Sequence, residues 1–188
     1  MNIRAKSEKG FSLIELLVVV AIIGVLAAVG VVGYQGYIDS TKKSVTDANA
    51  KAVHQWLINT KTVRAAGIDV DPSECSSSNF ANSTTAASAV ATTACFRQLG
   101  AAGGPFESFK NPYETTRSGQ ATILATAYSS AVADSTTCET FLTGAKMGDI
   151  IIQVASATVA QGINVYFCSK VGDNDNRLTK RDTTINNF

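Results

Sequence analysis

Charge is scarce in this 188-residue chain, where only 16% of residues are Asp, Glu, Lys or Arg. The 16 basic residues barely exceed the 15 acidic ones, so no global basic field points to nucleic acid as a partner. Histidine is scarcer still: His54 stands alone. The residues around it place it on the polar side of a helix, exposed to solvent rather than acting as a ligand or base. The four cysteines, Cys75, Cys95, Cys138 and Cys168, contain no C-x-x-C pair, which argues against a zinc site. No serine or cysteine has a partner that would activate it, and no glycine-rich phosphate loop follows a strand. These absences exclude the common routes to catalysis and nucleotide binding. The expected function is therefore not enzymatic and needs no cofactor. Small residues fill the place of charge, which suits a surface packed against copies of itself as well as one facing water.

What the chain does have is one long apolar run. "KGFSLIELLVVVAIIGVLAAVGVVGY", Lys9 to Tyr34, carries no charge from Leu16 to Gly33. About 18 or more such residues are long enough to cross a bilayer as a helix. Arg4, Lys6 and Lys9 precede it, opposed only by Glu8, and without them the chain is nearly neutral. That basic leader holds the N-terminus in the cytoplasm and sends the C-terminus out. A secretory signal fits poorly, because the apolar core is too long and no A-x-A-like site follows at Val32–Tyr37. Glu15 is the anomaly. An acid in hydrocarbon costs on the order of a few kcal/mol, less near the end of a span. Two readings stand: an inert interfacial acid, or an acid that awaits a cation from another chain. An even cysteine count beyond a membrane segment reads as two disulfides made outside the cytoplasm. Three pairings are open. Cys75–Cys95 and Cys138–Cys168 are preferred because each closes a local loop, typically contributing roughly 2–4 kcal/mol.

"KGFSLIELLVVVAIIGVLAAV" resembles the N-terminal signature of type IV prepilins and their pseudopilin relatives. The likeness lies in a short basic leader ending in Gly10, then Phe11, then an acid at the fifth mature position (Glu15), then an uninterrupted apolar helix. It covers about the first forty residues; beyond Tyr37 only the organisation is similar. The resemblance implies cleavage between Gly10 and Phe11 by an aspartyl prepilin peptidase, which also N-methylates the new Phe11 amine. It implies that Glu15 pairs with the Phe11 amine of a neighbouring subunit during assembly. Physically, an unpaired carboxylate among bundled helices is strongly penalised, and a cationic terminus neutralises it. Correct axial register is then selected, since other registers leave both charges alone. The implied partners are further copies of the chain in a helical filament, the prepilin peptidase and an inner-membrane assembly platform. The chain sits in the inner membrane before assembly and in an extracellular pilus after it. Many relatives carry proline at the position of Val32; without it, Gly24, Gly30, Gly33 and Gly36 are the residues that would permit local melting or close helix approach.

The expected organisation is a leader (1–10), a membrane or filament-core half-helix (11–37) and a head (38–188). In the head, Tyr34, Ile38, Val45, Ala48, Ala52, Trp56 and Val63 fall on one helical stripe, with a stop at Gly67. Residues 67–119 read as a Ser/Thr/Ala-rich loop region holding a short helix at Ala86–Leu99 and a surface open to O-glycosylation. Strands are expected at Ala121–Tyr128, Ile150–Val154 and Gly162–Cys168, the last two forming an antiparallel hairpin. The whole is an α+β, pilin-like fold: a long N-terminal helix packed on a small antiparallel sheet. "VGDNDNR" (Val171–Arg177) reads as a solvated turn, with Asp173 and Asp175 as the only calcium candidates. The alternatives to a pilus subunit are a major pseudopilin of type II secretion and a minor pilin acting as a binding module.

Overall fold

The computed structural model describes residues 10–68, 95–119, 122–127, 136–154, 162–171 and 175–186. The chain divides into two compact units, Met1–Ser40 and Thr41–Phe188. Helix α1, Leu13–Ala65, contributes to both. It stops where the expected signal lies. Gly67 adopts φ +81°, and the Ile68 N–H donates to Val63 O at 3.3 Å, the closing bond of a Schellman cap. In the first unit every residue from Phe11 to Tyr37 is exposed. The helix is continuous through Gly24, Gly30, Gly33 and Gly36, and a side chain at any of the four would meet open space.

In the second unit α1 buries a different face from the expected one. Thr46, Ala50, Val53, Leu57 and Thr60 are buried, at spacings of four and three residues that hold one side of a helix. Tyr34, Val45, Ala48, Ala52 and Val63 are exposed, and Trp56 is only half-buried against the core. Two threonines disguise the real face in a hydrophobicity pattern. Thr46 meets the cost of its burial within the helix, donating its hydroxyl to Lys42 O at 2.9 Å. His54 is corrected by the same rotation. It lies four residues after Ala50 and three before Leu57, and it is buried rather than solvent-exposed.

Four strands follow: β1 (Ile123–Ala127), β2 (Ile150–Val154), β3 (Gly162–Val171) and β4 (Asp175–Asn186), hydrogen-bonded in that order. The three expected strands are present, and β2 and β3 pair antiparallel, with Ile152 opposite Val165. The departure from an all-antiparallel sheet is β1, which runs parallel to β2 with Ile123 opposite Ile150. Its connection to β2 is a crossover rather than a hairpin. That crossover reaches the opposite edge of the sheet. Thr137 bridges Arg177 of β4, and the Leu178 N–H donates to Thr136 O at 3.2 Å. A short helix, α2 (Cys138–Phe141), follows; Thr137 caps it by accepting from the Thr140 N–H. Strand β4 was not anticipated, because "DNRLTKRDTTIN" lacks apolar alternation. The β3–β4 hairpin absorbs the "VGDNDNR" segment: Val171 ends β3 and pairs with Asp175, which opens β4. Asp173 lies outside the described residues, as do residues 86–94 of the expected short helix; residues 95–98 of it are helical.

Alternation along the strands fills two cores. Ile150, Ile152, Val154, Ile163, Val165 and Phe167 join Ala50, Val53 and Leu57 of α1, together with Phe96, Leu99 and Phe106. The other sheet face carries Ile151, Tyr166, Cys168 and Leu178, covered by Cys138, Ala145, Phe141 and Leu142. A second cover was not part of the expected fold. The crossover supplies it, and the Cys138–Cys168 disulfide fastens it to β3, with Cα atoms 6.0 Å apart. Cys95 is also disulfide-bonded and fully buried. Its expected partner, Cys75, lies outside the described residues.

One buried polar cluster ties the 95–119 region to the sheet. Asp149, fully buried at the start of β2, accepts from Arg117 Nη2 at 2.7 Å, Asn111 Nδ2 at 2.9 Å and the Lys146 N–H at 2.8 Å. The Asn111 carbonyl oxygen accepts from the Tyr113 and Glu114 N–H groups at 2.8 and 3.0 Å, an Asx turn made just before Pro112. Burial pushes the Asp149 carboxyl up to about 6, against the Lys146 N–H, Arg117 and Asn111, which hold it down. Gly148 is required beside it. It adopts φ +87°, and a Cβ there would overlap the Asn111 amide.

Candidate functional site

The residues singled out from the sequence gather at the start of α1. Gly10, Phe11 and Ser12 precede the helix, and all three are exposed, Phe11 to 89%. The Gly10–Phe11 peptide bond therefore lies in exposed, non-helical chain. Helix formation begins one residue after Ser12, and Glu15 is the acid of the first turn.

"S-L-I-E" (Ser12–Glu15) has the spacing of a capping box. The geometry agrees: the Ser12 N–H donates to Glu15 Oε2 at 3.0 Å. This role of Glu15 was missed, although the S-x-x-E signal was legible in the sequence. The carboxylate thus already serves its own helix, satisfying one of the donors that a helix start leaves unpaired. An ionised carboxylate has roughly four acceptor positions, so one N–H does not exhaust it. Its negative charge also suits the positive end of the helix dipole, worth about 0.3–1 kcal/mol at an exposed site.

Beyond Glu15 the helix presents an unbroken apolar surface. Leu16, Leu17, Val18, Val19, Val20, Ile22, Ile23, Val25 and Leu26 are each about half or more exposed. The helix is long and apolar enough to cross a membrane, and none of its apolar window is buried. This is the arrangement of a pilin-like protein: an exposed, acid-bearing apolar helix followed by a small mixed sheet.

Residues 5–31 match the family model described as the prokaryotic N-terminal methylation motif. That motif is the signature of type IV pilins and pseudopilins, and it marks a pilin-like substrate of the prepilin peptidase. The family is structural, and the apolar helix fits membrane anchoring before assembly. No curated protein matches the chain, and no solved structure does. Among the described residues no cluster of His, Cys, Asp and Glu could hold a metal ion.

Proposed function

We propose that this chain is a structural subunit of a type IV pilus. Prepilin peptidase cuts between Gly10 and Phe11 and methylates the new Phe11 amine. The mature chain waits in the inner membrane, with residues 11–37 as its anchor. It then leaves the bilayer for a helical filament in which those residues form the core. Extension is driven by a cytoplasmic ATPase acting through a membrane platform. The observation that carries this reading is the pairing of the methylation motif with an apolar helix exposed along its whole N-terminal half. Such a surface needs either lipid or copies of itself.

Glu15 has two tasks in this scheme: it caps its own helix, and it receives the Phe11 ammonium of a neighbour. The two are separable, because glutamine keeps an acceptor for the Ser12 N–H but loses the charge. The test compares wild type with Glu15→Gln in cells, reading sheared surface filaments and the mass of the N-terminal peptide. Wild type yields filaments whose subunits begin with methylated Phe11. Glu15→Gln retains a helical start and yields few or no filaments. Normal polymerisation by Glu15→Gln overturns the charge-pairing role, and a chain that keeps its leader overturns the whole assignment. A processed protein that never appears in the sheared fraction assigns the chain instead to the secretion pseudopilins, the second reading. Adhesion, motility and DNA uptake are the activities such a filament would serve.

A further inference from the structure

We propose that Tyr34 and Tyr37 form an interfacial anchor that fixes the depth of α1 in the bilayer before assembly; this rests on the membrane reading above. Charge alone leaves that depth undetermined. No charged residue lies between Glu15 and Asp39, so the uncharged stretch is Leu16–Ile38. Its 23 residues measure about 34 Å as a helix, against a hydrocarbon core of about 30 Å. The helix is therefore free to slide by about 4 Å, close to one turn, without burying a charge.

The tyrosines remove that freedom. Glu15 to Tyr34 is 19 residues, or about 29 Å, one hydrocarbon thickness. With the Glu15 carboxylate at one boundary, the Tyr34 ring stands at the other. Tyr34 and Tyr37 are three residues apart and so share one side of the helix. Both are well exposed, 66% and 69%, although each is a large aromatic. They also lie just before the end of the first compact unit at Ser40. A phenol ring with an apolar body and a polar tip is most stable at the carbonyl and headgroup level, where each end meets its own kind of solvent. The partner is thus the polar–apolar boundary of a phospholipid leaflet, and the surface is the Tyr34/Tyr37 edge of α1. The depth it sets holds Glu15 and the Phe11 amine at the opposite boundary, where both stay solvated until a neighbour arrives.

The test uses the full chain in vesicles of phosphatidylethanolamine and phosphatidylglycerol. Trp56→Phe removes the native tryptophan, and Val25→Trp places a reporter midway between Glu15 and Tyr34. Lipids brominated at different depths then quench that reporter. With both tyrosines present, quenching peaks for lipids brominated near the chain ends, at the bilayer centre. Tyr34→Ala with Tyr37→Ala moves or broadens the profile by about 3 Å, the rise of two residues. Tyr34→Trp and Tyr37→Trp, read by the quenching of residues 34 and 37 themselves, report from the headgroup level. An unchanged Val25→Trp profile after both alanine replacements overturns the anchor while leaving the membrane reading intact. A Val25→Trp reporter that no brominated lipid quenches overturns the membrane reading itself.

Discussion

Leu57→Ala and Val45→Ala test which face of α1 holds the head together. Leu57 is fully buried, in one cluster with Phe96, Ile123 and Ile152. Removing its terminal carbons leaves a cavity that the sheet closes only in part, and the loss is about 3 kcal/mol. Val45 is 41% exposed. Truncating it removes two methyl-sized groups, each worth about 0.8 kcal/mol when fully buried, so roughly 1 kcal/mol here. Alanine returns about 0.6 kcal/mol in helix propensity, leaving a net loss of about 0.4 kcal/mol. The measurement is guanidinium unfolding of the full chain in detergent micelles, followed by Trp56 fluorescence at constant slope. Leu57→Ala should lower the midpoint several-fold more than Val45→Ala. Equal losses, or the reverse order, would refute the assignment of the buried face and restore the stripe through Val45 and Val63.

The remaining predictions concern the sheet and its attachments. Replacing Cys138 and Cys168 together by alanine should cost about 3.5 kcal/mol, the loop-closure term for their separation of 30 residues; a loss below about 1 kcal/mol in chemical unfolding would show that the crossover holds its place without the bond. Gly148→Ala should cost about 2 kcal/mol or more, because it strains a positive φ and displaces Asn111, whereas Gly144→Ala, at φ +85° with open space around it, should cost about 1 kcal/mol. Asp149 sets a pH dependence. Its folded value of about 6 lies above the usual 3.8, so its contribution is full below pH 3.8 and is lost as pH rises through 6. Relative to Asp149→Asn, wild type should therefore gain up to about 3 kcal/mol between pH 7 and pH 4, and a flat difference in unfolding free energy would contradict it.

The N-terminal motif was legible because it is local. The matched motif occupies one uninterrupted stretch, residues 5–31, and Glu15 and the apolar run after it lie on consecutive turns of α1. Strands β2 and β3 were legible for a similar reason: β2 is a short apolar run, β3 opens on alternating apolar residues, and the two are close in sequence. The buried face of α1 was not, since it begins and ends with threonine and includes an alanine, while an equally regular row of apolar residues faces solvent. Strand β4 carries the polar sequence of an edge strand, and pairing with β3 rather than hydrophobicity makes it a strand. The cluster of Asn111, Arg117 and Asp149 joins residues more than thirty positions apart, which no local pattern encodes. The S-x-x-E start is a local capping signal, and the same Glu15 is the acid of the methylation motif.

The contact between the crossover and β4 has a consequence for folding. Thr136 and Thr137 find their backbone partners on Leu178 and Arg177 of β4, about forty residues further along the chain. Outboard of β3, no other strand among the described residues lies in the sheet until β4 pairs with it. The far side of the head therefore cannot close until β4 has paired, and a product that ends short of Asp175 would present β3 as a raw edge to any passing chain.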